Sequence, residues 1–238
     1  MSARQSHAVA GRRRRVVRLG AVLGAAAAVV AVLVAVSAGS ARPAASPPVP
    51  VAGAAASRAL LAGIPQDGIV LGDPRAPVRV VEFADLQCPF CRRYAMTVFP
   101  GLVRRYVRPG KVRMEFRALA FIGPDSVGAA RVAEAAGRQD RLWNVVDLAY
   151  RNQGRENSGW ATDATLHRIA AAAPGLDTAR VFAQRDGAAV TTALNAAAGL
   201  AQRSGVNATP TFLVGRASAL TAVGAAGLPA AIAAALGR

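Results

Sequence analysis

Both cysteines of this 238-residue chain fall in one stretch, Glu82-Phe83-Ala84-Asp85-Leu86-Gln87-Cys88-Pro89-Phe90-Cys91, where an apolar run gives way to a short turn and a Cys-x-x-Cys pair. No other feature limits the fold as much. The pair is a zinc knuckle, an inert local disulfide or a redox-active dithiol. A structural zinc needs four protein ligands, and beyond Cys88 and Cys91 only His7 and His167 offer nitrogen, the first of them in the N-terminal tail. The metal reading fails on ligand count.

The flanks separate the two disulfide readings. Val78 to Ala84 is β-branched and aromatic, as a short, mostly buried strand requires. Phe90 to Arg108 has the length and periodicity of an amphipathic helix, with Leu102, Val103, Tyr106 and Val107 on one face and Pro100 set to kink or divide it. Pro89 then falls in the first helical turn, where its missing N–H costs nothing. This puts Cys88 at a helix N-terminus, where free N–H groups and the helix dipole favour a thiolate. The spacing predicts Cys88 as nucleophile, preceded by exposed turn residues, and Cys91 as resolving thiol one turn inside, shielded by Phe90, Tyr94 and Ala95.

Val80 to Arg92 resembles the active-site segment of the DsbA-like branch of the thioredoxin superfamily. Leu71-Gly72-Asp73-Pro74-Arg75-Ala76-Pro77 resembles the lead-in of its membrane-anchored bacterial members. A second match lies over a hundred residues later, in Gly205-Val206-Asn207-Ala208-Thr209-Pro210-Thr211-Phe212-Leu213-Val214-Gly215, which is similar to the family's cis-proline loop and following strand. The resemblance runs from about Ile64 to the C-terminus. It implies an α/β, thioredoxin-like fold with core halves at about 64–118 and 205–238, split by a helical insertion at about 119–204. It further implies that Thr209 and Pro210 bind substrate backbone beside Cys88, with the Thr209–Pro210 bond cis. An acid at the position of Glu82 would relay protons to the dithiol, a role that a buried carboxylate with a raised pKa also suits. The alternative for Glu82 is a strand-edge ion pair with an arginine. One departure stands out: many strongly oxidising relatives have histidine between the cysteines, and this chain has Pro89-Phe90, which adds no positive charge.

Elsewhere the chain is less specific. Residues 1 to 58 carry eight arginines and no acid, half of the net charge of +16. The remaining arginines are scattered without aromatic interleaving and read as a solvated surface rather than a nucleic-acid site. Residues 1–18 form a basic tail, and 19–38 is an uncharged apolar run of the ~20 residues that cross a bilayer. It is expected to be a transmembrane anchor with its basic flank cytoplasmic, and a cleavable signal segment is the alternative. Residues 39–63, rich in Pro and Ala, read as a linker to a domain spanning 64–238. Within that domain Ile69 to Leu71 is expected as an edge strand and Val112 to Arg117 as a second core strand. Residues 124 to 204 read as almost wholly helical, with Asp125 or Ser126 capping the first helix and a polar loop at 152–159. A poorly marked strand near 220–223 precedes a closing helix, Leu228 to Leu236. Asp85 is expected to bond backbone N–H groups in its turn, His167 to lie at the surface, and Trp143 and Trp160 to pack.

The expectation is a membrane-tethered, extracytoplasmic thiol-disulfide oxidoreductase acting on exported thiol-containing proteins, with no metal or organic cofactor. By resemblance, a membrane quinone-linked thiol oxidase would reoxidise it. A reductase using the same residues in reverse, for instance in cytochrome c maturation, and a non-catalytic thioredoxin-fold binding or chaperone module are the alternatives.

Overall fold

The computed structural model describes residues 50–237. Six strands form one sheet: β1 Gln66–Asp67, β2 Val70–Leu71, β3 Val78–Ala84, β4 Val112–Ala118, β5 Thr211–Arg216 and β6 Ala219–Gly224, in the order β1-β2-β4-β3-β5-β6. Strands β3 and β4 run parallel, and every other pairing is antiparallel. Nine helices complete the described fold: α1 Ala54–Leu61, α2 Pro89–Thr97, α3 Phe99–Leu102, α4 Pro124–Gly137, α5 Leu142–Arg151, α6 Asp163–Ala171, α7 Thr178–Gln184, α8 Ala188–Arg203 and α9 Leu228–Leu236.

Central position explains the composition of β3. It is paired on both edges, and all its residues except Arg79 are buried. Val78, Val80 and Ala84 pack on one face with Tyr94, Phe116, Phe212 and Ile232, while Val81 and Phe83 meet Leu213 and Ala201 of α8 on the other. On this second face Glu115 accepts from Arg79 at 2.6 and 2.8 Å and from Arg117 at 3.1 Å. The parallel β3–β4 pair needs a crossover, and α2 begins it. That segment breaks at Val98 and restarts with Pro100 in the first turn of α3, then passes into a π-helical turn, Val103–Val107. Proline cannot donate to the preceding helix, so the division follows from the residue itself.

Several local expectations change. Val70–Leu71 is not the sheet edge, because Gln66–Asp67 pairs outside it. Residues 54–61 are not free linker: they form α1, with Ser57, Leu60 and Leu61 buried, and the Arg108 guanidinium donates to the Leu60 and Ala62 carbonyls at its C-terminal end. Two apolar leucines on an alanine-rich helix are enough to dock it. Neither Asp125 nor Ser126 caps α4, whose N-cap is Gly123 with Pro124 following. Asp125 instead accepts from the Gly159 and Trp160 N–H groups, and Ser126 donates to Asp85. Trp143 is buried, donating to the Ile69 carbonyl and stacking on Phe99 with ring centroids 5.4 Å apart. Trp160 packs half-buried against the same core, and His167 is exposed against Phe182. The tail 1–18, the apolar run 19–38 and residues 39–49 of the linker lie outside the described residues. Among the described residues no helix is long and apolar enough to cross a membrane.

Candidate active site

Cys88 is the N-cap of α2, with extended backbone, and its Sγ accepts from the Cys91 N–H at 3.4 Å. Pro89 sits in the first turn, as its fixed φ favours. Both cysteines are free thiols. The Cys88 thiol donates to the Thr209 carbonyl at 3.4 Å, and the Thr209–Pro210 bond is cis. The fold thus joins two stretches 121 residues apart, because β5 pairs with β3 and carries its lead-in loop to the start of α2.

The two thiols differ in charge. Hydrogen bonding from the Cys91 thiol lowers the Cys88 pKa to about 6, against the opposing effect of burial, and the Thr209 side chain and the Cys91 and Phe90 N–H groups add to the lowering. Cys88 is therefore mostly thiolate at neutral pH. Burial, and then Cys88 itself, push the Cys91 thiol strongly the other way. No cationic side chain is needed for this asymmetry, which answers the absence of histidine between the cysteines.

Two expectations about shielding are corrected. Phe90 is 61% exposed, with Arg93 over its ring, so it cannot cover Cys91, whereas Tyr94 and Ala95 are buried beside it. The turn before Cys88 is not exposed: Asp85, Leu86 and Gln87 are all buried. The reason is Asp85. Its Oδ1 accepts from the Gln87 N–H at 2.8 Å and the Ser126 hydroxyl at 2.7 Å, while Oδ2 accepts from the Phe121 and Ile122 N–H groups, both at 3.2 Å. Its carbonyl accepts from the Tyr150 hydroxyl and the Cys88 N–H.

The insertion supplies further clamps that sequence reasoning missed. Gln153 donates to the Leu86 and Cys88 carbonyls at 2.8 and 3.2 Å, and Gln87 donates to Ser126 and accepts from the Asn157 N–H. Gln153 and Asn157 lie in the polar loop after α5, whose composition marks a loop but not its destination. A Cβ at Gly123 would meet the Asn157 carboxamide, which would have to shift to make room. Because four donors converge on one buried carboxylate, Asp85→Ala should destabilise the domain by roughly 3–5 kcal/mol, and Asp85→Asn by less. Urea unfolding of the three proteins checks this; equal stabilities would show that the turn holds without the carboxylate.

Glu82 is 2% exposed on β3, flanked in register by Phe116 and Phe212. Burial raises its pKa to about 8, and its Oε2 has no hydrogen-bond partner. It is not the ion-paired strand glutamate; that position belongs to Glu115. Among the described residues no group of three His, Cys, Asp or Glu is placed to hold a metal.

The exposed large apolar side chains of the described domain are Phe90, Phe121 and Val127, and all three border this turn. Phe90 lies between the cysteines, Phe121 donates its N–H to Asp85, and Val127 follows Ser126.

A family model described as Thioredoxin matches residues 65–234. The chain is 42% identical over 101 residues to a protein of Bacillus cereus named "Probable disulfide bond formation protein D", covering 42% of this chain and 47% of that one. The chain thus spans about half the length of the first curated relatives that it matches. Among solved structures it is similar to a thioredoxin-like oxidoreductase from Silicibacter pomeroyi, with 33% identity and a TM-score of 0.58, covering 76% of this chain and 98% of that one. It also superimposes on oxidised BdbD from Bacillus subtilis with a TM-score of 0.64 at 23% identity, over 74% of this chain and 98% of that one. The architecture is thioredoxin-like α/β with a helical insertion.

Proposed function

We infer the function from one premise: the chain belongs to the Thioredoxin family whose model matches residues 65–234. On that premise the protein is a DsbA-like protein-disulfide oxidoreductase that introduces disulfides into exported proteins. The observation that carries this reading is the placement of Cys88 as the N-cap of α2, with its thiol against the Thr209 carbonyl and Cys91 fully buried one turn on. A thiol with a pKa near 6 is stabilised at pH 7 by about 1.4 kcal/mol through ionisation, or about 30 mV in favour of the reduced enzyme. Stabilising the reduced dithiol makes the disulfide form the better oxidant, which supports the oxidase direction.

In the reaction a substrate thiolate attacks Sγ of Cys88 in the Cys88–Cys91 disulfide, and the S–S bond breaks with its electron pair leaving on Cys91. A mixed disulfide now joins Cys88 to the substrate. Glu82, protonated below pH 8, gives its proton to the Cys91 thiolate through the buried interior. A second substrate thiolate then attacks the substrate sulfur and releases Cys88 as a thiolate, which its surroundings favour. The substrate is oxidised by two electrons and the enzyme reduced by two. Thr209 and Pro210 would hold the substrate backbone, and Phe90, Phe121 and Val127 would meet apolar side chains flanking its cysteine.

The same reading places the catalytic domain outside the cytoplasm on an anchor formed by residues 19–38, with a membrane quinone-linked thiol oxidase returning Cys88 and Cys91 to the disulfide. Trapping the thiols of the membrane fraction by acid quench and alkylation tests it. Predominantly oxidised Cys88–Cys91 in growing cells is the expected result, and a predominantly reduced pair would refute the oxidase direction in favour of a reductase.

A further inference from the structure

Two buried polar atoms beneath the cysteines lack a hydrogen-bond partner: Oε2 of Glu82 and the hydroxyl of Tyr94. Each is expensive alone, since an unsatisfied buried polar group costs its full desolvation penalty. Both lie on the same side of β3, and the charge of Glu82 acts on the Tyr94 hydroxyl. The alternation of β3 turns Glu82 to the same face as Val80 and Ala84, whose cluster contains Tyr94 and Cys91. Phe212 stands opposite Glu82 in the sheet and packs on Tyr94 with ring centroids 4.7 Å apart, and Cys91 precedes Tyr94 by one turn of α2.

The other surroundings are accounted for. From α5, Tyr150 uses its hydroxyl on the Asp85 carbonyl, and Asp85 uses its carboxylate on the four donors of the turn. Strands β4 and β5 present Phe116 and Phe212 to Glu82, and α9 has no charged residue, packing with Leu228, Ile232 and Ala235. No cation reaches the carboxyl: burial alone raises its pKa. Burial, followed by the charges of Glu82 and Cys91, holds the Tyr94 hydroxyl protonated, so it is available only as a donor to an anion.

We propose that Tyr94 is a positioning residue for proton transfer, its hydroxyl linked through one buried water to the Glu82 carboxyl and so stabilising the carboxylate that forms when Glu82 protonates Cys91. A water needs two or more polar partners to stay in such a site, and these two atoms supply them. The step balances: the proton leaves the Glu82 oxygen for Cys91 Sγ, the negative charge moves from sulfur to carboxylate, and Tyr94 keeps its own proton while donating. This rests on the oxidoreductase reading for its purpose, but the link itself is independent of turnover.

The test is Tyr94→Phe, which removes only the hydroxyl. Carboxyl-labelled glutamate followed by carbon NMR, with the Glu82 resonance assigned by its loss in Glu82→Gln, reads the titration directly. The midpoint is expected to rise by about one pH unit or more, a tenfold change in proton affinity, while Cys88 alkylation keeps its midpoint. The pH profile of disulfide transfer should shift upward with the carboxyl. A Glu82 midpoint unmoved within about 0.2 unit would overturn the proposal and leave Tyr94 as packing. If the phenylalanine variant fails to fold, 3-fluorotyrosine at position 94 serves instead: its more acidic hydroxyl should lower the Glu82 midpoint, and no shift again overturns the link. Absence of disulfide transfer in the unaltered protein would defeat the oxidoreductase reading, whereas the carboxyl titration would still report on Tyr94.

Discussion

Cys91→Ser will accumulate mixed disulfides with substrate proteins, whereas Cys88→Ser will capture almost none and lose essentially all disulfide transfer. Cys88 sits at the head of α2 with its thiol beside Thr209, and retains 4% exposure where Cys91 has none. Its thiolate dominates above pH 6, and the reactive species in exchange is the thiolate. Without the Cys91 sulfur, a mixed disulfide on Cys88 has no internal route of escape. A companion variant checks the electrostatics. The Cys91 thiol is the largest influence lowering the Cys88 pKa, so Cys91→Ala should move the Cys88 alkylation midpoint upward from about 6, while serine, which still donates, should hold it closer. Non-reducing gels with mass spectrometry, and alkylation rates between pH 4 and 9, provide the measurements. Equal trapping by Cys91→Ser and Cys88→Ser would remove Cys88 as the nucleophile.

The second large effect is on stability, through Glu82. Its pKa is about 8 in the folded domain against an ordinary 4.5, so the folded state binds the proton more tightly than the unfolded chain. Stability from this group is fully present below pH 4.5 and is lost as pH rises toward 8. Glu82→Gln cannot ionise and escapes that loss, so its stability relative to the unaltered domain should grow by a few kcal/mol between pH 4.5 and 9. Glu134, raised to about 7 by burial, adds a similar slope to both proteins and cancels in the comparison. Urea unfolding across this range is the measurement, and a pH-independent difference would mean that Glu82 ionises freely in the folded state. On the proposed mechanism the same variant should slow disulfide transfer, because Cys91 would lose its proton donor.

The core of the fold was legible because its signals are local. Val78 to Ala84 is a strand by composition, and the structure gives those bounds; Leu228–Leu236 is likewise the closing helix. Cys88 at an N-cap followed by Pro89 is read from four residues of sequence. The insertion was legible as helices for the same reason, although its first cap was not: Asp125 and Ser126 are good capping residues, yet both spend their oxygens on partners in other segments.

Sequence by itself determined which residues the proposed chemistry uses, since a cysteine at the start of a helix has N–H groups supplied by its own neighbours. Tertiary structure alone decided how those residues behave. The shift of Glu82 needs Phe116 and Phe212, from strands on either side, to exclude water from it. The burial of the turn at Asp85 needs donors 36 to 41 residues away, and the Cys88 carbonyl is held by Gln153, 65 residues on. Desolvation and long-range hydrogen bonding depend on what other segments bring to a site, and local composition does not encode that.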